Sequence, residues 1–395
     1  MVEVQKEKNQ KEVRNTQTNW FYLSIFACAA IAFGIGIVWS WNETLVYENT
    51  TATISYTYPA KLTFPVFRRS KIERIPFGEA KGLYLTAYSA GSTKKLDSII
   101  DLIDRTELNA VVIDVKDYSG LVLYDSDVDL VNELDLEDNR LRDVKAIVDR
   151  LHSHNIYVIA RQTVFQDPIL AEKKPEWAMK SKSGGLWRDY KGLAWVDPAK
   201  EEIWNYNIQI AHEVASFGFD EINFDYVRFP TDGNMSQIAY TNGDEPFYSV
   251  MRNFYTYLDD RLKNDSVFTS LDFFGFVMER HDGMSIGQRL EDAVDKVDYI
   301  SPMMYPSHYP RGHLRLDNPS DFPAIVIENG MQKGAPYFEG KRAQVRPWIQ
   351  AFNLGAVYDA EKIRAQIDMV EKYTDAGWLL WNASNRYSAD GLKEK

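Results

Sequence analysis

Residues 219–225 read Phe-Asp-Glu-Ile-Asn-Phe-Asp, and this short run decides the architecture. Side chains alternate along a β-strand, so Asn223 and Asp225 share one face while Ile222 and Phe224 share the other. In a parallel barrel the inward face of a strand leads to a site at its carboxyl end. The run therefore predicts a strand that presents Asp225 at the rim of such a site.

The same kind of apolar run recurs along the chain and alternates with amphipathic helical patterns, which is typical of successive βα units. Eight strands over about 310 residues fit a closed (β/α)8 TIM barrel. An open doubly wound sheet is disfavoured because no glycine-rich phosphate loop follows any strand. The predicted strands are residues 82–88, 110–115, 156–161, 219–225, 267–273, 297–304, 345–352 and 377–382, with helices near 93–105, 141–152 and 201–217.

Residues 20–41 form an uncharged apolar run with aromatic residues at both ends. A helix of that length spans roughly 33 Å, which is enough to cross a bilayer. A cleaved signal peptide is the competing interpretation, but no small-residue cleavage site follows the run. The sequence predicts one transmembrane anchor.

The charges that flank this run predict its orientation. Lys6, Lys8, Lys11 and Arg14 precede it, whereas the first eighteen residues after it carry only acidic charges. The positive-inside rule places residues 1–19 in the cytoplasm. We therefore expect a single-pass protein of the cell membrane, with an extracytoplasmic spacer at 42–77 and an extracytoplasmic barrel at 78–390.

Composition excludes several classes of function. The formal net charge of −12 and the pI near 5.1 argue against nucleic acid as a partner. Cys28 is the single cysteine and the six histidines are scattered, so the sequence offers no metal-ligand spacing. We expect neither a metal nor another cofactor.

Two carboxylates are the leading candidates for chemistry. Asp225 ends the fourth predicted strand, and Asp272 stands near the end of the fifth. Glycoside hydrolysis needs one carboxyl group that donates a proton and another that attacks the anomeric carbon or activates water. Arg228 is expected to keep Asp225 ionised, and Glu279, in the next loop, is the rival for the acid.

Other polar and aromatic residues lie near the predicted strand ends and are of sugar-binding types. Asp114 and Lys116 are predicted to share one face of the second strand. Tryptophans 187, 195, 348 and 381 could offer flat faces to sugar rings, although aromatic side chains are more often core. The predicted substrate-binding residues are Asp114, Lys116, Arg161, Asn223, Arg228, Tyr305, His308, Gln350, Trp381 and Asn382.

Four strings carry a family resemblance: VVIDVKDYSG, FGFDEINFDYVRFP, SLDFFGF and VDYISPMMYPSHY, all within residues 80–388. The chain resembles the bacterial putative glycosyl hydrolase domain family, formerly a domain of unknown function. The resemblance implies a TIM barrel distantly similar to alpha-amylase-like and alpha-galactosidase-like hydrolases. In those relatives the nucleophile is an Asp that ends the fourth strand, which here is Asp225.

The resemblance also implies an acid/base at the end of the fifth strand, here Asp272, although many of those relatives use Glu. It implies retention of configuration, for which the two carboxyl groups stand about 5–5.5 Å apart. The expected function is an extracytoplasmic glycosidase that cleaves O-glycosyl bonds of a cell-envelope or extracellular polysaccharide. The alternative is a catalytically silent, carbohydrate-binding barrel displayed at the cell surface.

Overall fold

A computed structural model describes residues 78–395, and this part of the chain forms a barrel of eight parallel strands. The first predicted strand begins two residues earlier than expected, the seventh is interrupted, and the other six overlap their predicted ranges. The strands are β1 (Ala80–Leu85), β2 (Ala110–Lys116), β3 (Tyr157–Thr163), β4 (Glu221–Asp225), β5 (Phe268–Phe274), β6 (Tyr299–Met303), β7 (Trp348–Gln350) and β8 (Gly377–Trp381).

Each strand pairs with its neighbours in chain order, and the sheet closes on itself. β8 pairs with β1, and β7 pairs with β6 through Trp348 and Met303. The register places Asp114 beside Arg161 and Arg161 beside Asn223, while Asn223 lies beside Ser270. The predicted TIM barrel is confirmed by this closed parallel arrangement.

Helices follow most of the strands and cover the outside of the barrel. Asp143, Asp167 and Asp359 each cap a helix, because their side chains accept a backbone N–H of the first turn. The helices are Ala87–Ala90, Thr93–Asp104, Asp129–Leu134, Val144–Ser153, Pro168–Lys173, Glu201–Ser216, Phe247–Leu262, Leu290–Ala293, Pro323–Gly334 and Ala360–Val370.

The seventh strand differs from its prediction. Residues 345–352 were expected to be continuous, but the structure has a two-residue strand at Gln344–Val345 and then β7. Pro347 lies between them, and proline cannot donate a backbone hydrogen bond to the sheet. The ladder is therefore interrupted at this point.

A second irregularity lies in β2. The pairing with β3 shifts between Asp114 and Lys116, so that two steps on β2 oppose one step on β3. Such a β-bulge turns the residues beyond it to the opposite face. It decides the position of Lys116, as described below.

The predicted tail, membrane anchor and spacer, residues 1–77, lie outside the described residues, and these predictions are untested. Between residues 78 and 395 no helix combines the length and the apolar character that a membrane crossing requires.

Candidate active site

The inward positions at the carboxyl ends of the strands carry charged side chains. Lower on the inner wall lie small and apolar side chains such as Ala80, Ala110 and Val112. Above them the inward positions carry Asp114, Arg161, Asp225 and Asp272, which we call the upper cluster. All four are buried, and they come from four consecutive strands, β2 to β5.

Arg161 is the centre of the upper cluster. Its guanidinium donates to Asp114 Oδ1 at 2.6 Å and to Oδ2 of Asp225. Its Nε lies 3.8 Å from Oδ2 of Asp272. One cation therefore contacts three carboxylates, and the cluster carries more acidic groups than basic ones.

Asp225 and Asp272 have different hydrogen-bond partners. Asp225 accepts from Arg161 and, at 2.6 Å, from the backbone N–H of Tyr226. Asp272 accepts at one oxygen from Asn223 at 2.8 Å and from the indole of Trp348 at 2.7 Å. The nucleophile candidate thus has a direct cationic partner, whereas the acid candidate is held by neutral donors.

The backbone is strained next to Asp225. Tyr226 has a φ of 54°, in the left-handed region that residues other than glycine rarely adopt. This turn brings the Tyr226 N–H onto the Asp225 carboxylate. Strain of this kind is stored where the surrounding structure fixes a functional geometry.

Two carboxyl groups of the upper cluster, those of Asp272 and Asp114, have raised pKa values. Burial raises the pKa of Asp272 well above its ordinary value, and the neighbouring Asp225 carboxylate raises it further. Burial also raises the pKa of Asp114, although Arg161 opposes that shift. A protonated Asp272 beside an Asp225 that is paired with Arg161 is a division of roles that suits acid catalysis.

Aromatic side chains form the wall of the site. Tyr84 and Trp381 stack with ring centroids 4.0 Å apart, and Trp348 meets Trp381 edge-on at 5.4 Å. The guanidinium of Arg161 lies 5.2 Å from the Trp381 ring. Tyr305 is buried nearby, and burial together with the carboxylates of Asp272 and Asp225 raises its pKa.

The prediction that Lys116 shares a face with Asp114 is wrong. Lys116 is fully buried on the outer side of β2, where its ammonium pairs with Asp167 at 2.7 Å and donates to the Thr163 carbonyl. The β-bulge after Asp114 is the physical reason, because it reverses the alternation. Lys116 therefore joins β2 to the chain after β3 and does not face the site.

The expected partner of Asp225 is also corrected. Arg161 makes the ion pair that was assigned to Arg228. Arg228 is buried at the rim and donates through Nη1 to the Phe229 carbonyl and to Thr231. Chain proximity suggested Arg228, but the parallel register brings Arg161 across from β3.

Two further predicted sugar-binding residues are occupied by the protein itself. The Gln350 amide accepts from the Ser307 N–H and donates to the carbonyls of Phe352 and Leu354. The Asn382 amide donates to the Ala351 and Arg386 carbonyls and accepts from the Ser384 N–H. Both side chains hold loops together, so their N–H donors are not free for a sugar hydroxyl.

The remaining candidates lie at or away from the rim. His308 contacts Tyr305 and Phe352, and the partial burial of its ring lowers its pKa. Glu279, the rival acid, lies 3.2 Å from both His313 and Lys333. Lys333 donates to Oε2 of this carboxylate, and both contacts lie outside the upper cluster.

Sequence reasoning missed Tyr84 as a site residue. Its hydroxyl donates to Asp114 Oδ2 at 2.5 Å, and its ring carries the stack with Trp381. Alternation along β1 could have found it, because Gly82 and Tyr84 lie on the same face near the carboxyl end. Trp348, named as a possible platform, is instead a buried donor to Asp272.

The upper cluster does not resemble a metal centre. Its three carboxylates converge on the Arg161 guanidinium, which occupies the position where a cation would bind. Over residues 78–395 no group of three or more histidine, cysteine or acidic side chains could hold a metal ion.

Fold and site together define a (β/α)8 barrel with paired carboxyl groups at the carboxyl ends of β4 and β5. The family described as "Putative glycosyl hydrolase domain" matches residues 82–387. The chain belongs to this family, as the sequence strings predicted. No curated protein sequence matches this chain.

Solved structures extend this likeness. The PgaB (BpsB) glycoside hydrolase domain from Bordetella bronchiseptica has a TM-score of 0.56 and 14% identity, over 78% of this chain and 94% of that chain. Alpha-L-fucosidase isoenzyme 2 from Paenibacillus thiaminolyticus has a TM-score of 0.52 and 13% identity, over 77% and 46%. At these identities the likeness shows the fold alone.

A third structure is more similar in sequence. A hypothetical protein from Ruminiclostridium thermocellum ATCC 27405 is 39% identical, with a TM-score of 0.45, over 48% of this chain and 96% of that chain.

Proposed function

We propose that the barrel is a retaining glycoside hydrolase that cleaves O-glycosyl bonds of a cell-envelope or extracellular polysaccharide. Asp225 attacks the anomeric carbon, and Asp272 donates a proton to the departing oxygen. The observation that carries the proposal is the pair itself: two carboxyl groups on adjacent strands contact one guanidinium but differ in environment. Family membership supports the same class of reaction.

The ground state of the pair fits these roles. The ion pair with Arg161 and the hydrogen bond from the Tyr226 N–H hold both oxygens of Asp225 in place, as a nucleophile requires. Burial and the nearby Asp225 keep a proton on Asp272, which an acid requires. After the glycosyl–enzyme bond forms, Asp272 in its ionised form accepts a proton from the attacking water.

The rim supports a polymeric substrate. The four exposed tyrosines of residues 78–395 all lie in the segments that follow β1 to β4, one of them on the short helix Ala87–Ala90. Exposed aromatic rings can stack on sugar rings while their hydroxyls take up polar groups. Four of them on consecutive segments would contact several sugar units beyond the cleaved bond; they are Tyr88, Tyr118, Tyr190 and Tyr240.

The test is a hydrolysis screen on envelope and extracellular glycans with the wild-type protein and three variants. We expect Asp225→Asn and Asp272→Asn to lose turnover, whereas Glu279→Gln retains it because Glu279 lies beside His313 and Lys333, outside the upper cluster. NMR of the first-formed product should show the anomeric configuration of the substrate. Hydrolysis by the Asp225→Asn variant at the wild-type rate would refute Asp225 as the nucleophile. A product of inverted configuration would refute retention.

The extracytoplasmic position of the barrel rests on the charges around residues 20–41. Protease added to intact cells should digest the barrel while the protein remains in the membrane fraction. Protection of the barrel in intact cells, or its recovery as a soluble form without residues 1–41, would contradict this topology.

A further inference from the structure

Arg228 is a buried cation at the rim, and only 8% of the residue is exposed. The carboxylates of Asp225 and Asp232 are near enough to raise its pKa, but within residues 78–395 neither forms an ion pair with its guanidinium. Burial of a charge is costly unless a group of opposite charge or several hydrogen bonds compensate it. The cost of this burial therefore needs an explanation.

The other buried guanidiniums of the barrel interior behave differently. Burial alone would lower the pKa of Arg161 and of Arg346, but their carboxylate neighbours outweigh it and raise both. For Arg228 burial is the stronger influence, and its pKa is lowered. The charges around Arg228 thus do not balance its burial.

Three aromatic rings hold the Arg228 guanidinium in place. It lies 4.7 Å from the Phe274 ring centroid, 5.1 Å from that of Trp195 and 5.4 Å from that of Tyr226. Such cation–π contacts fix its position without neutralising its charge. Trp195 and Tyr226 follow β3 and β4, and Phe274 ends β5, so Arg228 lies in the same sector of the rim as Asp225 and Asp272.

The guanidinium also keeps free donors. Its two hydrogen bonds, to the Phe229 carbonyl at 3.0 Å and to Thr231 at 3.3 Å, both start from Nη1. Nε and Nη2 have no acceptor among the described residues, and together they present the planar edge that binds a carboxylate in a bidentate manner. A ligand carboxylate would supply both the missing charge and the missing acceptors.

We propose that Arg228 binds the carboxylate of an acidic sugar, so that the substrate glycan contains uronic acid units next to the cleaved bond. This inference rests on the proposed glycoside hydrolase function. It adds the substrate class, which neither the fold nor the paired carboxyl groups define.

The test measures binding and needs no turnover. D-Glucuronate and D-galacturonate are titrated against wild-type protein by saturation-transfer NMR, with D-glucose and D-galactose as neutral matches. We expect the wild type to prefer the uronates and Arg228→Gln to bind them about 10- to 100-fold more weakly, the size expected for a charged hydrogen-bonded pair. Binding of the neutral sugars should stay unchanged. Arg228→Lys, which keeps the charge but loses the planar edge, should recover only part of the preference.

Arg261→Gln is the matched control. Arg261 also lies over an aromatic ring, 4.8 Å from the Tyr257 centroid, but it is exposed on the helix Phe247–Leu262. Equal binding of uronate and neutral sugar by the wild type would overturn the proposal, and so would an unchanged preference in a folded Arg228→Gln variant. Displacement by sulfate or phosphate at lower concentration than uronate would overturn the assignment to a carboxylate.

The two proposals fail in different ways. Binding of uronates through Arg228 without hydrolysis of any glycan would refute the hydrolase and leave the acidic-sugar site standing. Hydrolysis confined to neutral glycans would refute the acidic-sugar site alone.

Discussion

The barrel contains two buried sets of charged side chains, the upper cluster and the pair Glu221–Arg346 at the opposite end, and they differ in composition. In this lower pair Arg346 donates to Glu221, which also accepts from Ser270 and Tyr157. One cation meets one anion, and both side chains are almost completely buried. In the upper cluster one cation meets three carboxylates, and 8% of the Asp225 side chain is exposed to solvent.

This difference separates stability from chemistry. A balanced pair that is shut away from solvent can only stabilise the fold, and in TIM barrels the amino-terminal end of the strands is the stability face. At the carboxyl ends burial raises the pKa of Asp272 and of Asp114, and the neighbouring Asp225 carboxylate raises that of Asp272 further, which makes protons available for transfer. Burial together with a second carboxyl group at the same place marks the reactive end.

The two groups are linked by a column of hydrogen bonds through the barrel. Asn223 donates both to Asp272 at 2.8 Å and to Ser270 at 3.0 Å, and Ser270 donates to Glu221 at 2.5 Å. The lower pair thereby supports the residues that orient the acid. Variants at each level of the column can show how far the two ends are independent.

The largest expected effect is on turnover at the upper end. Asp225→Asn removes the attacking oxygen's charge at nearly constant volume and should lower kcat by about 10⁴-fold or more. Arg161 retains Asp114 and Asp272 as partners, so the free energy of unfolding should change by less than about 2 kcal/mol. Kinetic assays and urea unfolding measure the two quantities. A large loss of stability would show that the upper cluster is also structural.

The second largest effect is expected at the lower pair, where stability and not turnover should change. Glu221→Gln leaves Arg346 without a carboxylate and should destabilise the fold by about 3–5 kcal/mol. Protein that remains folded should keep kcat within a few-fold of wild type. Urea unfolding with parallel assays below the transition tests this, and a stable but inactive variant would end the division of roles.

A smaller effect is expected in the middle of the column. Ser270→Ala removes the acceptor of Asn223 and one donor to Glu221, which should cost about 1–3 kcal/mol. Asn223 still reaches Asp272, so turnover should fall only slightly. A loss of activity as large as that of Asp225→Asn would mean that the column orients the acid more strongly than the contacts at Asp272 itself.

The smallest effect is a change in the pH dependence of stability. Because its pKa is higher in the folded than in the unfolded state, Asp272 stabilises the fold at low pH, and this contribution is lost as pH rises from about 3.9 through the raised value. Asp272→Asn should remove that loss, so its stability relative to wild type should improve with rising pH. Thermal unfolding between pH 4 and 8 tests the sign. A parallel pH dependence in both proteins would argue against a protonated Asp272.

The pH dependence of wild-type turnover should also report the protonation of Asp272. Turnover needs the protonated form of Asp272, so the rate should fall on the alkaline side as Asp272 loses its proton. A rate that rises steadily with pH would assign the acid to another residue.

Much of this barrel could be predicted because its signals are local. Two-residue alternation in FDEINFD and in the strings around Asp114, Arg161 and Asp272 determines which side chains face inward, and the order of strands determines that they meet at one end. The sequence by itself therefore determined the barrel and brought Asp114, Arg161, Asn223, Asp225, Asp272, Tyr305 and Trp381 to one place.

Only the tertiary structure decided which charges pair. A single-residue bulge turned Lys116 away from the site, and loop packing used up the amide of Gln350. The partner of Asp225 came from β3 instead of from the nearby Arg228, because register brings residues distant in the chain within hydrogen-bond range. Burial and mutual charge, which set the proton affinity of Asp272, exist only once the strands have closed around it.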